Sequence, residues 1–191
     1  MRILSRCLPL LGCCLLAAVS TNVNAQAKSD APPPGTHVSP AASYDKLLSG
    51  MEKEFVDAAE AMPADKYNFK PSVPGGSFDG VRSFGEEVKH VAEANYYFFH
   101  DPDAPMSEMA EGRKKIEALK SKDEIVQALK DSFVVAHTYI SKITDANDFV
   151  MTKNGTRGGQ AAFGIAHFMD HYGQICVYLR MNGIIPPASR K

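Results

Sequence analysis

The run GQAAFGIAHFMDHYGQICVYLRMNG, Gly159 to Gly183, decides the fold. Its only charged residues are Asp170 and Arg180, and a helix so poor in charge is surrounded by protein on most of its sides. Gly183 follows the last periodic residue and Pro186 and Pro187 stand just beyond it. The glycine supplies a left-handed cap and the prolines forbid continuation. Inside the run, Phe163, His167, His171, Ile175 and Tyr178 recur at spacings of four, four, four and three. His167 and His171 therefore share one face, one turn apart, with Cβ atoms about 5–6 Å from each other.

Two imidazoles so placed can each aim a lone pair at one divalent cation. The bland alternative is a pair of packed or solvated histidines, which the spacing alone does not exclude. The apolar surroundings favour the metal. A buried neutral imidazole needs a partner for each ring nitrogen, and an ion satisfies one nitrogen of each histidine at once.

Working outward, three more helical patterns precede this one. The first is expected over about residues 43–61, capped by Ser43 or Asp45, with Leu47, Leu48, Met51, Phe55, Ala58 and Ala59 facing inward. A connection without clear period follows, in which Tyr67 and Phe69 pin the loop to the bundle. The second helix is expected over about 80–99, with Phe84, Val88, Val91, Asn95 and Phe98 as its stripe and His90 at the stripe's edge. Asp101-Pro102 ends it beside His100, a structural histidine favoured near a helix C-terminus. Residues 107–119 read as a charged loop with one or two turns. Ser121 and Glu124 then form a capping box for a third helix to about Ile143, with Ile125, Leu129, Phe133, Ala136, Ile140 and Ile143 inward and His137 beside them. Residues 144–158 form a loop. Four such helices and no convincing strand make an all-α four-helix bundle with long connections.

The chain begins differently. Arg2 and Arg6, an apolar stretch from Leu8 to Val19 and the small-residue site Val23-Asn24-Ala25 have the make-up of a secretory signal peptide, residues 1–25, cleaved after Ala25. Leu10-Leu11-Gly12-Cys13 offers a competing lipoprotein-type site, with few apolar residues before it. Residues 26–42 are rich in Pro, Ala and Ser and read as a tether, leaving 43–191 as the folded domain. No other apolar run is long enough to span a bilayer, so the mature chain is expected to be exported, periplasmic or secreted, with no membrane association after cleavage.

Losing Arg2 and Arg6 takes the formal net charge from −1 to −3. No basic block tracks a phosphate backbone, so nucleic-acid binding has no support. Of the four cysteines, Cys7, Cys13 and Cys14 leave with the signal, and Cys176 remains as a lone packed thiol.

A histidine in the second helix, the His-x-x-x-His pair in the fourth and the run His171-Tyr172-Gly173-Gln174, Tyr178-Leu179-Arg180, Gly183, Pro186-Pro187 resemble the DinB/YfiT family. The similarity extends over about residues 43–189 and is most specific at 167–188. The resemblance implies a four-helix bundle, often a homodimer, that holds a divalent ion (zinc, nickel, iron or manganese) through His90, His167 and His171. Some members of that family are thiol transferases, so it also implies thiol-transfer or hydrolase-type chemistry on a small-molecule substrate. An exported chain meets fewer of the cytoplasmic thiols that such transfer uses. The alternative is a metal-stabilised or small-molecule-binding bundle without turnover. Asp170 and Tyr97 stand near enough in sequence to serve as an orienting carboxylate and a cavity wall, or as ordinary surface and core-edge residues. His137 is the competing ligand.

Other metal chemistries fit less well. A di-iron bundle needs two Glu-x-x-His copies, and Glu87-Val88-Lys89-His90 supplies one. A zinc protease has glutamate beside its histidine pair, where this chain has Asp170. Attached haem needs Cys-x-x-Cys-His, which is absent. For the exported protein, N-terminal sequencing or intact mass is expected to place the mature terminus at Gln26; a lipid-modified Cys13 would overturn that reading.

Overall fold

The computed structural model describes residues 31–191. The expected signal segment and residues 26–30 of the tether lie outside them.

Ser39 starts the first helix. Its hydroxyl accepts the Ala42 N–H at 3.3 Å and Pro40 takes the first helical position, where the missing N–H had no partner to lose. Helix α1 therefore spans Pro40–Ala61, beginning before the expected Ser43 or Asp45 cap and taking in the tether's last three residues. Leu48, Phe55, Ala58 and Ala59 are its buried face. Leu47, expected inward, is 46% exposed. One position, about 100° around the helix, separates it from Leu48 and puts it outside the arc that the core covers. Beyond α1, Tyr67 donates its hydroxyl to the Ala59 carbonyl at 2.7 Å and Phe69 meets the Tyr178 ring at 5.9 Å, so both aromatics pin the long connection.

Helix α2, Phe84–Phe98, opens on a reciprocal capping box between Ser83 and Glu86; this cap, and not Gly80, sets its start. The charged stretch expected as a loop is a helix of three turns, α3, Met106–Glu117. Ser121 and Glu124 cap α4, Lys122–Ser141, as their spacing predicts. All six inward positions expected from Ile125 to Ile143 are buried. A two-residue antiparallel ladder, β1 (Met151–Thr152) with β2 (Gly155–Thr156), precedes the last helix where no strand was expected.

Helix α5 spans Arg157–Met181. It ends as Gly183 requires. The glycine sits at φ 75°, its N–H donates to Arg180 O at 3.0 Å, and the Ile184 N–H donates to Leu179 O at 2.9 Å. That 5→2 and 6→1 pairing satisfies carbonyls the helix would otherwise leave bare.

Side-chain pairs fix the topology. In the bundle α1 packs on α4 and α5, and α2 packs on the same two helices. Lys122 near Glu60 and His137 near Asp45 make α1 and α4 antiparallel. Tyr44 near Asp148 at the α5 start, with Phe55 against Phe168 and Tyr172, makes α1 and α5 parallel. Asn95 with Ser132 and Phe99 with Tyr139 make α2 and α4 parallel. The order is up, down, down, up. Two parallel consecutive helices need a return segment, and α3 supplies it: Tyr96 lies against Gly112 and Lys89 reaches the Glu117 carbonyl, so α3 runs back along α2.

Phe168 is fully buried at the bundle centre, edge-on to Phe55 at 6.3 Å and Phe133 at 5.3 Å. Each such edge-to-face pair adds about 0.5–1.5 kcal/mol beyond area burial.

His137 ties α4 to α1. Its Nδ1 donates to Asp45 Oδ1 at 2.6 Å and its Nε2 to Glu52 Oε2 at 2.7 Å. Two donated bonds describe an imidazolium. Partial burial pushes its pKa down, but Glu52 and Asp45 outweigh this and the net direction is up. A raised histidine pKa contributes stability that is full below the unfolded value near 6.5 and is lost as pH rises through the folded value. His137→Gln should therefore destabilise the fold by about 1 kcal/mol at pH 6 and by less at pH 9, measured by urea unfolding. An equal loss at both pH values would show that the clamp carries no charge.

Candidate metal centre

The site is built where α5 crosses α2. Gly164 makes the close approach possible: a Cβ there would stand 2.7 Å from Phe99 Cζ and 3.1 Å from Phe98 Cβ. With no side chain at that turn, the next turn of α5 carries His167 against Phe98, ring centroids 4.9 Å apart, and toward His90. His171 follows one turn later.

His90, His167 and His171 converge, each offering a ring nitrogen within 4.8 Å of the others'. The ring centroids are 5.2 Å apart for His90 and His167, 4.6 Å for His90 and His171, and 4.7 Å for His167 and His171. His171 is buried, and the other two are half-buried. The remaining described histidines lie elsewhere. His37 faces Asp145 at the surface at 3.2 Å, His100 bonds the Ala104 carbonyl through Nε2 at 3.2 Å, and both His137 nitrogens are committed to carboxylates. His137 is not among the clustered donors.

The carboxylate that reaches the cluster is Glu87, which was not recognised as part of the site from sequence. It is 2% exposed, and its Oε2 lies 2.7 Å from His171 Nδ1. The contact is short, although its angle departs from that of a good N–H hydrogen bond. A carboxylate beside that nitrogen would favour the proton on Nδ1 and free Nε2 as the lone-pair donor, the arrangement by which acidic partners orient metal-ligating histidines. Burial raises the Glu87 pKa, but His171, Arg82 and His90 outweigh it and the net direction is down, so Glu87 stays ionised. The available signal was the spacing Glu87-Val88-Lys89-His90, which puts both side chains on one side of α2.

Burial, then the charges of Arg82, His171 and His167, push the His90 pKa down to about 4. Burial and His171 push His167 down as well. Both imidazoles are therefore neutral near pH 7, as a ligand must be. His167 Nδ1 is buried with no hydrogen-bond partner. An orphaned ring nitrogen in an apolar interior carries a desolvation cost, and a cation among three imidazoles removes such a cost where the nitrogen points to it. Three imidazole nitrogens so close together could hold one divalent metal ion and leave positions over for a further ligand.

Other expected site residues fall outside. Asp170 is exposed. Tyr97 is 53% exposed and lines a surface cavity of about 570 Å³ with Phe98 and Phe163. Phe163, expected on the inward stripe, is 60% exposed and packs its ring on Phe98, the last residue of α2, at 5.2 Å. Cys176 is half-buried beside Tyr172, and burial raises its thiol pKa; it is not among the clustered donors.

Residues 47–175, about two thirds of the chain, match the family model described as the DinB superfamily. No curated protein matches the chain.

Replacing Glu87 by Gln keeps its shape and removes its charge. Zinc affinity, measured by competition with a chromophoric chelator, should fall about tenfold to a hundredfold with the helical circular dichroism unchanged. An unaltered affinity would mean that Glu87 does not orient His171.

Proposed function

The chain belongs to the DinB superfamily, and on that premise we propose that it is an exported metal-dependent enzyme that uses His90, His167 and His171 to hold one divalent ion. The observation that carries the reading is the convergence of three ring nitrogens within 4.8 Å at a place where a buried imidazole nitrogen has no hydrogen-bond partner. The reaction class is thiol transfer or hydrolysis on a small molecule. The exported location rests on residues 1–25, which precede the described residues.

A divalent ion held there supplies Lewis-acid charge that lowers the pKa of a water or thiol at an open coordination position. The protein's part is positional. His90 comes from α2 and the other two histidines from α5, so the three ligands are fixed only when those helices are docked. Glu87 stands 2.7 Å from His171 Nδ1, where it can orient that ring. Burial keeps His90 and His167 unprotonated. The neighbouring Phe98 ring packs on His167, with centroids 4.9 Å apart.

The test is metal analysis on protein purified without a histidine tag. His90→Ala, His167→Ala and His171→Ala should each cut metal stoichiometry sharply, and His137→Ala should not. Bound ion stabilises the fold by about 2.7 kcal/mol when free metal is 100 times Kd, so chelation should lower Tm by several degrees, read by calorimetry. Thiol-transfer and esterase assays on the loaded protein then separate turnover from binding. Wild-type metal content in all three ligand variants would end the metal reading, and a loaded protein inert in every assay would favour the metal-stabilised bundle.

A further inference from the structure

His90 borders a cavity of about 370 Å³, within the size range of small-ligand sites. Its wall carries three cations, Lys70, Arg82 and Lys89, and three acids, among them Glu93 and Glu117. Two of the cations are engaged. Lys70 pairs with Glu86 at 3.4 Å, and Lys89 donates to the carbonyls of Glu117 and Leu119 at 3.2 and 3.5 Å.

Arg82 differs from both. Its Nη1 stands 3.8 Å from Glu87 Oε1, beyond hydrogen-bond range, and among the described residues that carboxylate is its one ion-pair partner. Its main chain is fixed, because Tyr178 of α5 donates its hydroxyl to Arg82 O at 3.1 Å. Its side chain is 46% exposed. A planar guanidinium with five N–H donors thus borders the cavity beside His90 with most of its bonding capacity unspent. Glu87 links it to the cluster, with one oxygen toward Arg82 and the other toward His171.

Resting on the three-histidine reading, we propose that Arg82 is the anion anchor of this site and that its ligands are small molecules bearing a carboxylate. The forked guanidinium matches a carboxylate in a bidentate pair. A dianionic phosphate fits less well, because Glu93 and Glu117, which have no ion-pair partner among the described residues, share the cavity wall and repel the second charge. A carboxylate held at Arg82 brings the rest of the molecule toward His90, and so toward the place where the three imidazoles meet.

The test uses the untagged protein reconstituted with cobalt(II) and titrated with N-acetylglycine, following the cobalt visible absorption, with N-acetylglycinamide as the neutral counterpart. The same ligands are titrated into metal-free protein by calorimetry. N-acetylglycine is expected to perturb the cobalt spectrum and to bind about tenfold or more tighter than the amide, the worth of a charge-assisted pair. Arg82→Met should remove that preference in protein loaded with saturating cobalt, and Arg82→Lys, which keeps a charge beside Glu87, should restore part of it. Equal affinity for acid and amide, or an Arg82→Met protein that binds the acid like wild type, would overturn the anchor while leaving the metal site intact. A chain that takes up no cobalt yet shows Arg82-dependent binding of N-acetylglycine by calorimetry would instead overturn the metal reading and support the carboxylate site on its own.

Discussion

A neutral imidazole inside a helical bundle is tolerable only when both of its nitrogens have somewhere to go. This chain places three imidazoles together, and the surrounding structure follows from that demand. Glu87, itself 2% exposed, answers one nitrogen of His171. Arg82 and His171 in turn keep Glu87 from being an unpaired buried charge, an arrangement far costlier than a lost hydrogen bond. Gly164 lets α5 come close enough for the rings to meet at all. The Phe98 ring covers the flank of His167. Each of these residues can be read as a response to placing polar rings in an apolar seam.

The same seam explains why the topology is not the simplest one. The α2–α5 contact is antiparallel, α2 and α4 are parallel, and the chain must climb back along α2 before α4 can begin. Helix α3 makes that return. It has few buried residues of its own: Met109 and Ile116 turn inward, while Tyr96 of α2 fills the space that Gly112 leaves open. Its charged surface therefore belongs to a strut on the outside of the bundle.

Much of this was legible beforehand. The bundle helices show in the period of Leu129, Phe133, Ala136 and Ile140, in the Ser121–Glu124 box and in Gly183, because burial and capping are local demands that leave local marks. The three clustered histidines were legible from the His167–His171 spacing together with a family resemblance; spacing alone never required His90. What escaped depended on partners distant in the chain. Helix α3 has a weak apolar stripe, so its composition resembles a loop, and only the parallel pairing of α2 with α4 demands a rigid return there. Glu87 was passed over because a glutamate three residues before a histidine is ordinary on a solvated helix; its meaning lies in His171 of another helix. Leu47 and Phe163 have the right residue type but sit where the neighbouring helix does not reach, and no periodicity reports that.

The up, down, down, up order has a consequence for how the chain reaches its fold. Within the bundle, neither α1 and α2 nor α4 and α5 form a hairpin of sequence neighbours. The local antiparallel pair is α2 with α3, and α3 is the helix with the least to bury. The contacts among the four bundle helices all join elements that are not sequence neighbours, so loop-closure entropy is spent before the bundle core is gained. Such a bundle folds more slowly than one assembled from adjacent hairpins, and its last helix carries two of the three clustered imidazoles. The cluster is therefore complete only in chains whose C-terminal helix has already docked.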